Sequence, residues 1–346
     1  MVINKNPFVT SGYISPEFFC DREEESERLI QEISGNNLAL ISTRRMGKTG
    51  LIQHCFQQDE IVHDYYTFFV DIYATKSLRD FVFSLSKVIF ESLKPKGKKA
   101  IEKFWYYMKS LHAGVSFDIS GNPSLTFGLG DIQEANATLE EIFEYLEKAD
   151  KPCIVAFDEF QQISKYPEKN IEALLRSHIQ HLSNVHFIFS GSGCHLVTEM
   201  FLSSARPFYN STSILELYPI VAEEYIPFVC HWFDVYERAI REEDVLVIYR
   251  LFEGNTYYMQ KTFHEAFINI PIGSSCTLDI LRQTVDGVLE EAGDGYRQLL
   301  SRIPERQKEL LYAIASAGKA EKIMSAGFIR KYSLVSSSAV QAAARK

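Results

Sequence analysis

The chain has 346 residues, of which 46% are hydrophobic and 23% are charged. This composition is typical of a globular protein with two or three packed units, and it excludes a short peptide or a disordered tail. An excess of acidic residues gives a formal net charge of −9, which excludes a chain whose whole surface is built to bind nucleic acid.

The charge is uneven along the chain. Residues 302–346 carry nine Lys or Arg and three Glu, a net charge of +6, whereas residues 1–301 carry a net charge of −15. No apolar run reaches the ~18 residues that a membrane span needs, and the first residues lack the apolar core of a signal peptide. We therefore expect a cytoplasmic protein that has no membrane partner. The six cysteines are far apart and form no CxxC pair, which predicts reduced thiols rather than disulfides or a metal site.

Four short apolar runs bounded by polar residues predict buried strands at residues 36–42, 66–74, 153–157 and 185–190. Helical periodicity lies between them, in DREEESERLIQEI, in the residues after Thr49, in SLRDFVFSLSKVIFESL and in TLEEIFEYLEKA. In the last of these helices we expect Thr138 to be the N-cap, with Glu141 at capping-box spacing. Residues 114–130 alternate apolar and polar side chains around a Gly-Asn-Pro turn, which predicts a β-hairpin.

Strands that alternate with helices predict an α/β fold: a parallel sheet with helices on both faces, over residues 1–220. The pattern then becomes helical, which predicts a helical lid domain over residues 221–295. Three further helical stretches, PERQKELLYAIAS, KIMSAGFIRKYS and SSSAVQAAARK, indicate a helix-turn-helix or winged-helix-like domain over residues 296–346. Ser336 or Ser337 would cap its last helix. The sequence stops directly after this helix, where a wing hairpin is expected, so either the domain has no wing or the sequence is truncated.

The strongest chemical motif is STRRMGKT, Ser42 to Thr49, which follows a predicted strand and opens a helix. A phosphate chain needs backbone N–H groups from a tight loop at a helix N-terminus, one flexible cation, and one hydroxyl for Mg²⁺. Gly47, Lys48 and Thr49 stand where these parts are required. The full pattern is GxxxxGK[ST], and Ser42 replaces its first glycine. The motif predicts a nucleotide site formed by Ser42, Arg44, Arg45, Met46, Gly47, Lys48, Thr49 and Gly50.

The second motif is CIVAFDEF, an apolar strand that ends in Asp158 and Glu159. A carboxylate at a strand tip can hold Mg²⁺ opposite the threonine hydroxyl, and its neighbour can orient and deprotonate water. The carboxyl edge of an open α/β sheet is also where ligands bind. A solvated acidic turn is the alternative, and it fits poorly after four apolar residues.

Two further features leave alternatives open. Ser190, Gly191 and Ser192 follow the fourth strand, where a hydroxyl could contact phosphate or the attacking water, or the segment could be a plain turn. Arg206 precedes a proline and could stabilise the transferred phosphate within its own subunit or across a subunit boundary, or it could be an ordinary surface arginine.

At these residues the chain resembles a known family, the STAND group of AAA-like P-loop ATPases, specifically the archaeal-type ATPase branch also found in bacteria. The resemblance spans FFCDREEESERL, STRRMGKT, VDIYATKS, IVAFDEFQQI, FIFSGSGCHLVTEM, RPFY, EGNTYYMQ and the C-terminal region. It implies a bacterial member of that branch in which VHFIFS is the central strand. It also implies slow hydrolysis of ATP, used to switch between closed and open assemblies that involve other copies of the chain or a protein partner.

Residue by residue, the resemblance implies that Lys48 and Thr49 bind phosphate and Mg²⁺, that Asp158 is the acidic metal partner, that Glu159 is the base and that Ser192 is the sensor. The segment around Arg22 resembles the one that packs near adenine and ribose in the family. Asp21 stands where relatives often have Gly, and Thr256 where relatives often have Pro, so the adenine contacts are less secure than the phosphate contacts.

The basic C-terminal region supports a second interpretation. Its last helix, with Gln341, Arg345 and Lys346 outward, could enter a DNA major groove, and its cations could contact phosphates. The same charge could instead face the acidic remainder of the chain. Two functions therefore stay open: a Mg²⁺-dependent ATP hydrolase acting as a switch, and a nucleotide-gated DNA-binding or scaffolding protein with little hydrolysis.

Overall fold

The computed structural model describes residues 6–93, 98–110, 115–117, 123–125, 132–192, 194–318 and 320–344. The chain divides into two compact units, Met1–Thr277 and Leu278–Lys346. Within the described residues, no helix is long and apolar enough to cross a membrane.

A five-stranded parallel sheet forms the centre of the first unit. Its strands are β1 (Leu38–Ile41), β2 (Tyr66–Asp71), β5 (Cys153–Asp158), β6 (Val185–Gly191) and β7 (Ser213–Glu216). Their order across the sheet is β2-β5-β6-β1-β7. The four predicted strands and the central position of VHFIFS are thereby confirmed. The edge strand β7 was not predicted, because only Leu215 among its four residues is buried.

Apolar side chains cover both faces of this sheet. Phe157, Phe187 and Phe189 belong to the core on one face, whereas Ile154 and Ile188 belong to the core on the other. Because successive side chains of a strand point to opposite faces, strands buried on both faces read as continuous apolar runs. The predicted parallel α/β architecture is thus confirmed.

Eight helices accompany the sheet in the described part of residues 6–202. They are α1 (Glu23–Ile33), α2 (Lys48–Cys55), α3 (Asp59–Asp64), α4 (Leu78–Leu93), α5 (Lys98–Tyr107), α6 (Ala135–Glu147), α7 (Ile171–Ile179) and α8 (Cys194–Leu202). Two short 3-10 helices are also present, at Pro16–Phe18 and Phe160–Lys165. The predicted hairpin is present as an antiparallel pair of β3 (Val115–Phe117) and β4 (Pro123–Leu125), whereas its Gly-Asn turn lies outside the described residues.

The predicted start of α6 is wrong. The helix begins at Ala135, and Thr138 lies inside its first turns, fully buried, with its hydroxyl 3.2 Å from the Glu134 carbonyl oxygen. Alanines on both sides of Asn136 favour helix, so the helix extends upstream of the threonine. Glu141 does not close a capping box: it accepts hydrogen bonds from the Ser110 backbone and hydroxyl instead.

Three helices follow β7: α9 (Ala222–Val235), α10 (Glu242–Leu251) and α11 (Thr256–Asn269). Two short strands, β8 (Ala239–Ile240) and β9 (Ser275–Cys276), pair in parallel beside them. Phe8, near the start of the chain, is fully buried against Phe233, Phe263 and Phe267 of these helices. The segment around Phe8 is therefore packed against α9 and α11.

The second unit contains α12 (Leu278–Ser301), α13 (Glu305–Ala317), α14 (Ala326–Lys331) and α15 (Ser337–Ala344). The Ser336 hydroxyl accepts a hydrogen bond from the Ala339 backbone at 3.2 Å, so the first of the two predicted caps is the one used. Helix α12 is continuous through residues 295 and 296, where the predicted lid and winged-helix-like domains meet. The division into three domains stays a prediction.

Candidate functional site

The loop between β1 and α2 carries the glycine-lysine-threonine motif at the carboxyl edge of the sheet. All four residues of β1 are buried, and α2 begins at Lys48. Gly47 has φ +92°, and a Cβ there would meet no atom within 4 Å, so glycine is required for its backbone conformation and not for space. The loop thereby places the N-terminus of α2 at the carboxyl edge of the sheet, and a helix N-terminus in such a loop is the arrangement that binds anions.

Lys48 is buried inside this loop. Its Nζ donates to the Ser42 hydroxyl at 2.9 Å, to the Ser42 carbonyl at 3.3 Å and to the Thr43 carbonyl at 3.2 Å. Ser42 therefore contributes a ligand for the ammonium group at the position where the full motif has glycine. A glycine at this position would lack the hydroxyl that accepts from Lys48.

Asp158, the last residue of β5, forms the acidic edge of the site. Its Oδ2 accepts a hydrogen bond from the Thr49 hydroxyl at 2.7 Å, and its Oδ1 accepts from the Ser190 hydroxyl at 2.8 Å and the Glu159 backbone at 3.0 Å. The structure thus brings Thr49 and Asp158 together across 109 residues of sequence. For Ser190 the sequence left open a hydroxyl that contacts phosphate or the attacking water and a plain turn, and its hydroxyl proves to donate to the carboxylate of Asp158.

Glu159 has its carboxylate held by two neighbours. The Ser192 hydroxyl lies 2.8 and 2.7 Å from its two oxygens, and the Gln161 amide also donates to it. Glu159 has φ +58°, a left-handed conformation that costs a non-glycine residue about 1–2 kcal/mol. A Cβ on Gly191 would lie 2.5 Å from Gln161 Oε1, so glycine is required there for the close approach of that amide.

One cavity of about 250 Å³ is lined by Lys48, Thr49, Asp158, Glu159 and Ser192, whereas Ser42 and Ser190 do not line it. Its walls come from the segment 9–22, the loop 45–50, the strand ends at Asp158, Glu159 and Ser192, and the first turns of α11. One cavity of the first unit is therefore lined by residues of both predicted motifs, of the segment 9–22 and of α11.

Aromatic side chains stand on the chain-start side of the cavity. Phe19 stacks on His54 with ring centroids 4.3 Å apart, and the Tyr13 hydroxyl lies 3.1 Å from His54 Nδ1. Burial lowers the pKa of His54, which favours the neutral imidazole. Tyr13 and Phe19 also line the cavity. Neither residue was predicted as part of the site, although the segment 8–19 contains four aromatic side chains.

The predicted arginines have different surroundings. Arg22 is buried and lines the cavity, with its guanidinium donating to Glu25 and to the Tyr218 carbonyl. Arg45 also lines the cavity, and its guanidinium lies 4.1 Å from the centre of the Tyr257 ring.

Arg44 and Arg206 are not brought to the cavity. Arg44 is exposed and does not line it. Arg206 donates to Glu172 and Glu199 and also lies outside the lining. The remaining loop residues Met46, Gly47 and Gly50 do line the cavity.

The donor set fits a nucleotide with Mg²⁺. A hydroxyl and a carboxylate, from Thr49 and Asp158, are the hard oxygen ligands that Mg²⁺ prefers, and they lie side by side. The ammonium of Lys48 and the N-terminus of α2 supply positive charge for a phosphate chain at the same edge.

Comparisons with known proteins bear on the fold and on the C-terminal region. A sequence-family model described as "probable winged helix domain" matches residues 294–346. No curated protein sequence matches the chain. The structure is similar to a Walker-type ATPase of Pyrococcus abyssi, with a TM-score of 0.71 and 20% identity over 98% of this chain and 92% of that one.

Two proteins of Aeropyrum pernix are also similar in structure. The ORC2 protein in its ADP form gives a TM-score of 0.57 at 15% identity, over 94% of this chain and 82% of that one. The ORC1 protein in complex with DNA gives a TM-score of 0.50 at 13% identity, over 95% and 83%. At sequence identities of 13–20%, the structural similarity to these proteins establishes the fold alone. The chain therefore combines a parallel, P-loop NTPase-like sheet domain with a C-terminal winged helix domain.

Proposed function

We propose that the chain binds ATP with Mg²⁺ and hydrolyses it slowly, as a conformational switch. One observation carries this proposal: Lys48, Thr49, Asp158, Glu159 and Ser192 come from three separate segments and line a single cavity at the carboxyl edge of a parallel sheet. Electrostatic stabilisation of phosphate and positioning of water are the requirements of phosphoryl transfer, and these five side chains supply both.

Each residue has a role in this proposal. Lys48 contacts the terminal phosphates, Thr49 and Asp158 hold Mg²⁺, and Glu159 orients and deprotonates the attacking water. Bound Mg²⁺ would neutralise part of the phosphate charge. Ser192 senses the terminal phosphate. Ser42, Arg45, Met46, Gly47 and Gly50 form the loop around the phosphates, with Arg44 at its outer face, and Arg22 packs near the nucleoside.

The contacts of Glu159 support slow turnover. The single hydroxyl proton of Ser192 is shared between the two carboxylate oxygens, and the Gln161 amide also donates to one of them. Water that approaches Glu159 competes with these two donors, so the rate of hydrolysis depends on the position of Ser192. The state of the nucleotide would thereby be coupled to the position of Ser192, which directly follows strand β6.

The role of Arg206 differs from that of the cavity residues. Its ion pairs with Glu172 and Glu199 keep it outside the lining of the cavity in its own chain. We propose that, if it stabilises phosphate, it does so across the boundary between two copies in a nucleotide-dependent oligomer. On the motifs given above, we place the chain in the archaeal-type ATPase branch of the STAND group.

Hydrolysis is tested by phosphate release and ATP affinity in the wild-type chain and in Glu159→Gln. We expect the variant to bind ATP with Mg²⁺ as the wild type does and to lose turnover. Glu141→Gln is the matched control, because Glu141 also accepts a serine hydroxyl at 2.7 Å but lies outside the cavity lining. A Glu159→Gln variant as active as the wild type would exclude Glu159 as the base.

A second candidate function is DNA binding gated by the nucleotide. The match of residues 294–346 to a winged helix domain and the net charge of +6 over residues 302–346 favour it. In this interpretation residues 221–295 form the lid and residues 296–346 contact the duplex. The two functions are separated by measuring phosphate release with and without duplex DNA over a series of salt concentrations. Only a chain whose hydrolysis is coupled to DNA changes its rate when DNA is added, and that change weakens as the salt concentration rises.

A further inference from the structure

Gln161 contacts the carboxylate of Glu159 from outside the lining of the cavity. Its Nε2 amide group donates to Oε2 of Glu159, whereas Gln161 itself does not line the cavity. The hydroxyl of Ser192, which does line the cavity, lies 2.8 Å from Oε1 and 2.7 Å from Oε2 of the same carboxylate. The carboxylate of Glu159 therefore has one donor at the cavity and a second donor away from it.

The backbone holds Gln161 close to Glu159. Glu159 is the N-cap residue of the 3-10 helix Phe160–Lys165, and Phe160 is the residue between the two side chains. Phe160 is fully buried and packs on Phe189 of β6, with ring centroids 4.5 Å apart. Since the residue between them is anchored in the core, Glu159 and Gln161 start from a fixed backbone.

The other end of the Gln161 amide is enclosed by the end of β6. A Cβ on Gly191 would lie 2.5 Å from Gln161 Oε1 and would also meet the side chain of Val197. Oε1 is buried and has no hydrogen-bond partner among the residues that the structure describes. Turning the amide over would bring this oxygen against the carboxylate of Glu159, where two acceptors repel each other. The amide is therefore held with its donor end towards Glu159.

We propose that Gln161 is a positioning residue that holds Oε2 of Glu159 and thereby leaves Oε1 for the attacking water. This inference rests on the proposed hydrolysis and adds the residue that keeps the base oriented. When a terminal phosphate draws the hydroxyl of Ser192 away, the amide of Gln161 remains on the carboxylate. Because a general base acts only from a fixed position beside the water, Gln161 affects turnover and not nucleotide binding.

The test measures kcat for phosphate release and the affinity for ATP with Mg²⁺ in Gln161→Leu. Leucine is similar in size to glutamine and cannot donate a hydrogen bond. We expect kcat to fall about 10- to 100-fold, the effect of one hydrogen bond to a charged group, and ATP affinity to stay unchanged. Gln161→Glu keeps the shape of the side chain but replaces the donor with a second carboxylate, so kcat should fall by at least as much.

Gln162→Leu is the matched control. Gln162 is the next residue of the same 3-10 helix and is also half-buried, and its amide donates to the uncharged carbonyl of Thr75 at 2.9 Å. It does not line the cavity either. A merely structural effect of this helix would change both variants alike, whereas we expect Gln162→Leu to keep the wild-type kcat.

Three results would overturn the inference and leave the proposed hydrolysis intact. They are a wild-type kcat in Gln161→Leu, an equal fall of kcat in Gln161→Leu and Gln162→Leu, and a loss of ATP affinity in Gln161→Leu as large as its loss of kcat. A wild-type chain without turnover, or a Glu159→Gln variant with full turnover, would instead refute the proposed role of Glu159, and this inference with it.

Discussion

The hydroxyl of Ser190 offers a sharp test of the acidic edge of the site. Ser190 is fully buried on the central strand β6, and its Oγ donates to Asp158 Oδ1 at 2.8 Å. Asp158 is itself only 8% exposed. A buried hydrogen bond to an ionised group contributes about 1.5–3 kcal/mol, so Ser190→Ala should lower the free energy of unfolding by that amount.

The matched control for this substitution is Ser86→Ala. Ser86 is also fully buried, but its hydroxyl donates to the uncharged carbonyl of Val82 within helix α4. Alanine is the better helix former, so the control should lose no more than about 1 kcal/mol.

Urea unfolding followed by circular dichroism measures both variants by linear extrapolation. A second readout is ATP affinity, which in Ser190→Ala should fall in the presence of Mg²⁺ and stay unchanged in its absence. If Ser190→Ala loses no more stability than Ser86→Ala, the carboxylate of Asp158 does not depend on this hydroxyl and the reasoning is refuted.

Two further perturbations test the surroundings of the site. Arg206→Ala should lower the free energy of unfolding by about 1–3 kcal/mol, because it leaves the buried carboxylate of Glu172 without its ion pair. It should leave the ATP affinity of a single chain unchanged. Thermal unfolding measures the first effect and ATP titration the second, and unchanged stability would contradict the structural role of Arg206. Stability should also fall as the pH drops below about 6.5, because burial lowers the pKa of His54 in the folded chain and the unfolded chain therefore binds protons more readily in this range. Urea unfolding at pH 7.5 and 5.5 should show a smaller drop in His54→Gln than in the wild type, and an equal drop would exclude His54 as a source of the effect.

The residues at the carboxyl edge of the sheet could be predicted from the sequence because they adjoin buried strands. Four apolar runs became four strands of the sheet, and parallel strands end at one edge, so Lys48, Asp158 and Ser192 had to meet there. The edge strand Ser213–Glu216 was not predicted because only one of its four residues is buried. It therefore lacks the apolar run by which the other four strands were identified.

The side of the cavity formed by the segment 9–22 and by α11 could not be predicted in the same way. Phe8 contacts His264 of α11, a residue 256 positions away in sequence. Segments so far apart meet only in the folded chain, so no local pattern indicates which of their residues line the cavity. The wrong cap at Thr138 has a local cause, since alanines upstream of it extend the helix to Ala135.

Binding of ATP in the presence of Mg²⁺ by the wild-type chain and by Lys48→Ala tests the central claim most directly. Lys148→Ala is the control, because Lys148 is an exposed lysine paired with Glu144 on the surface. We predict that the wild type and the control bind ATP alike, and that Lys48→Ala binds it about 10- to 100-fold more weakly, the effect of losing one charge-assisted contact to phosphate. Undiminished affinity in Lys48→Ala would contradict the assignment of the loop Ser42–Thr49 as the phosphate site.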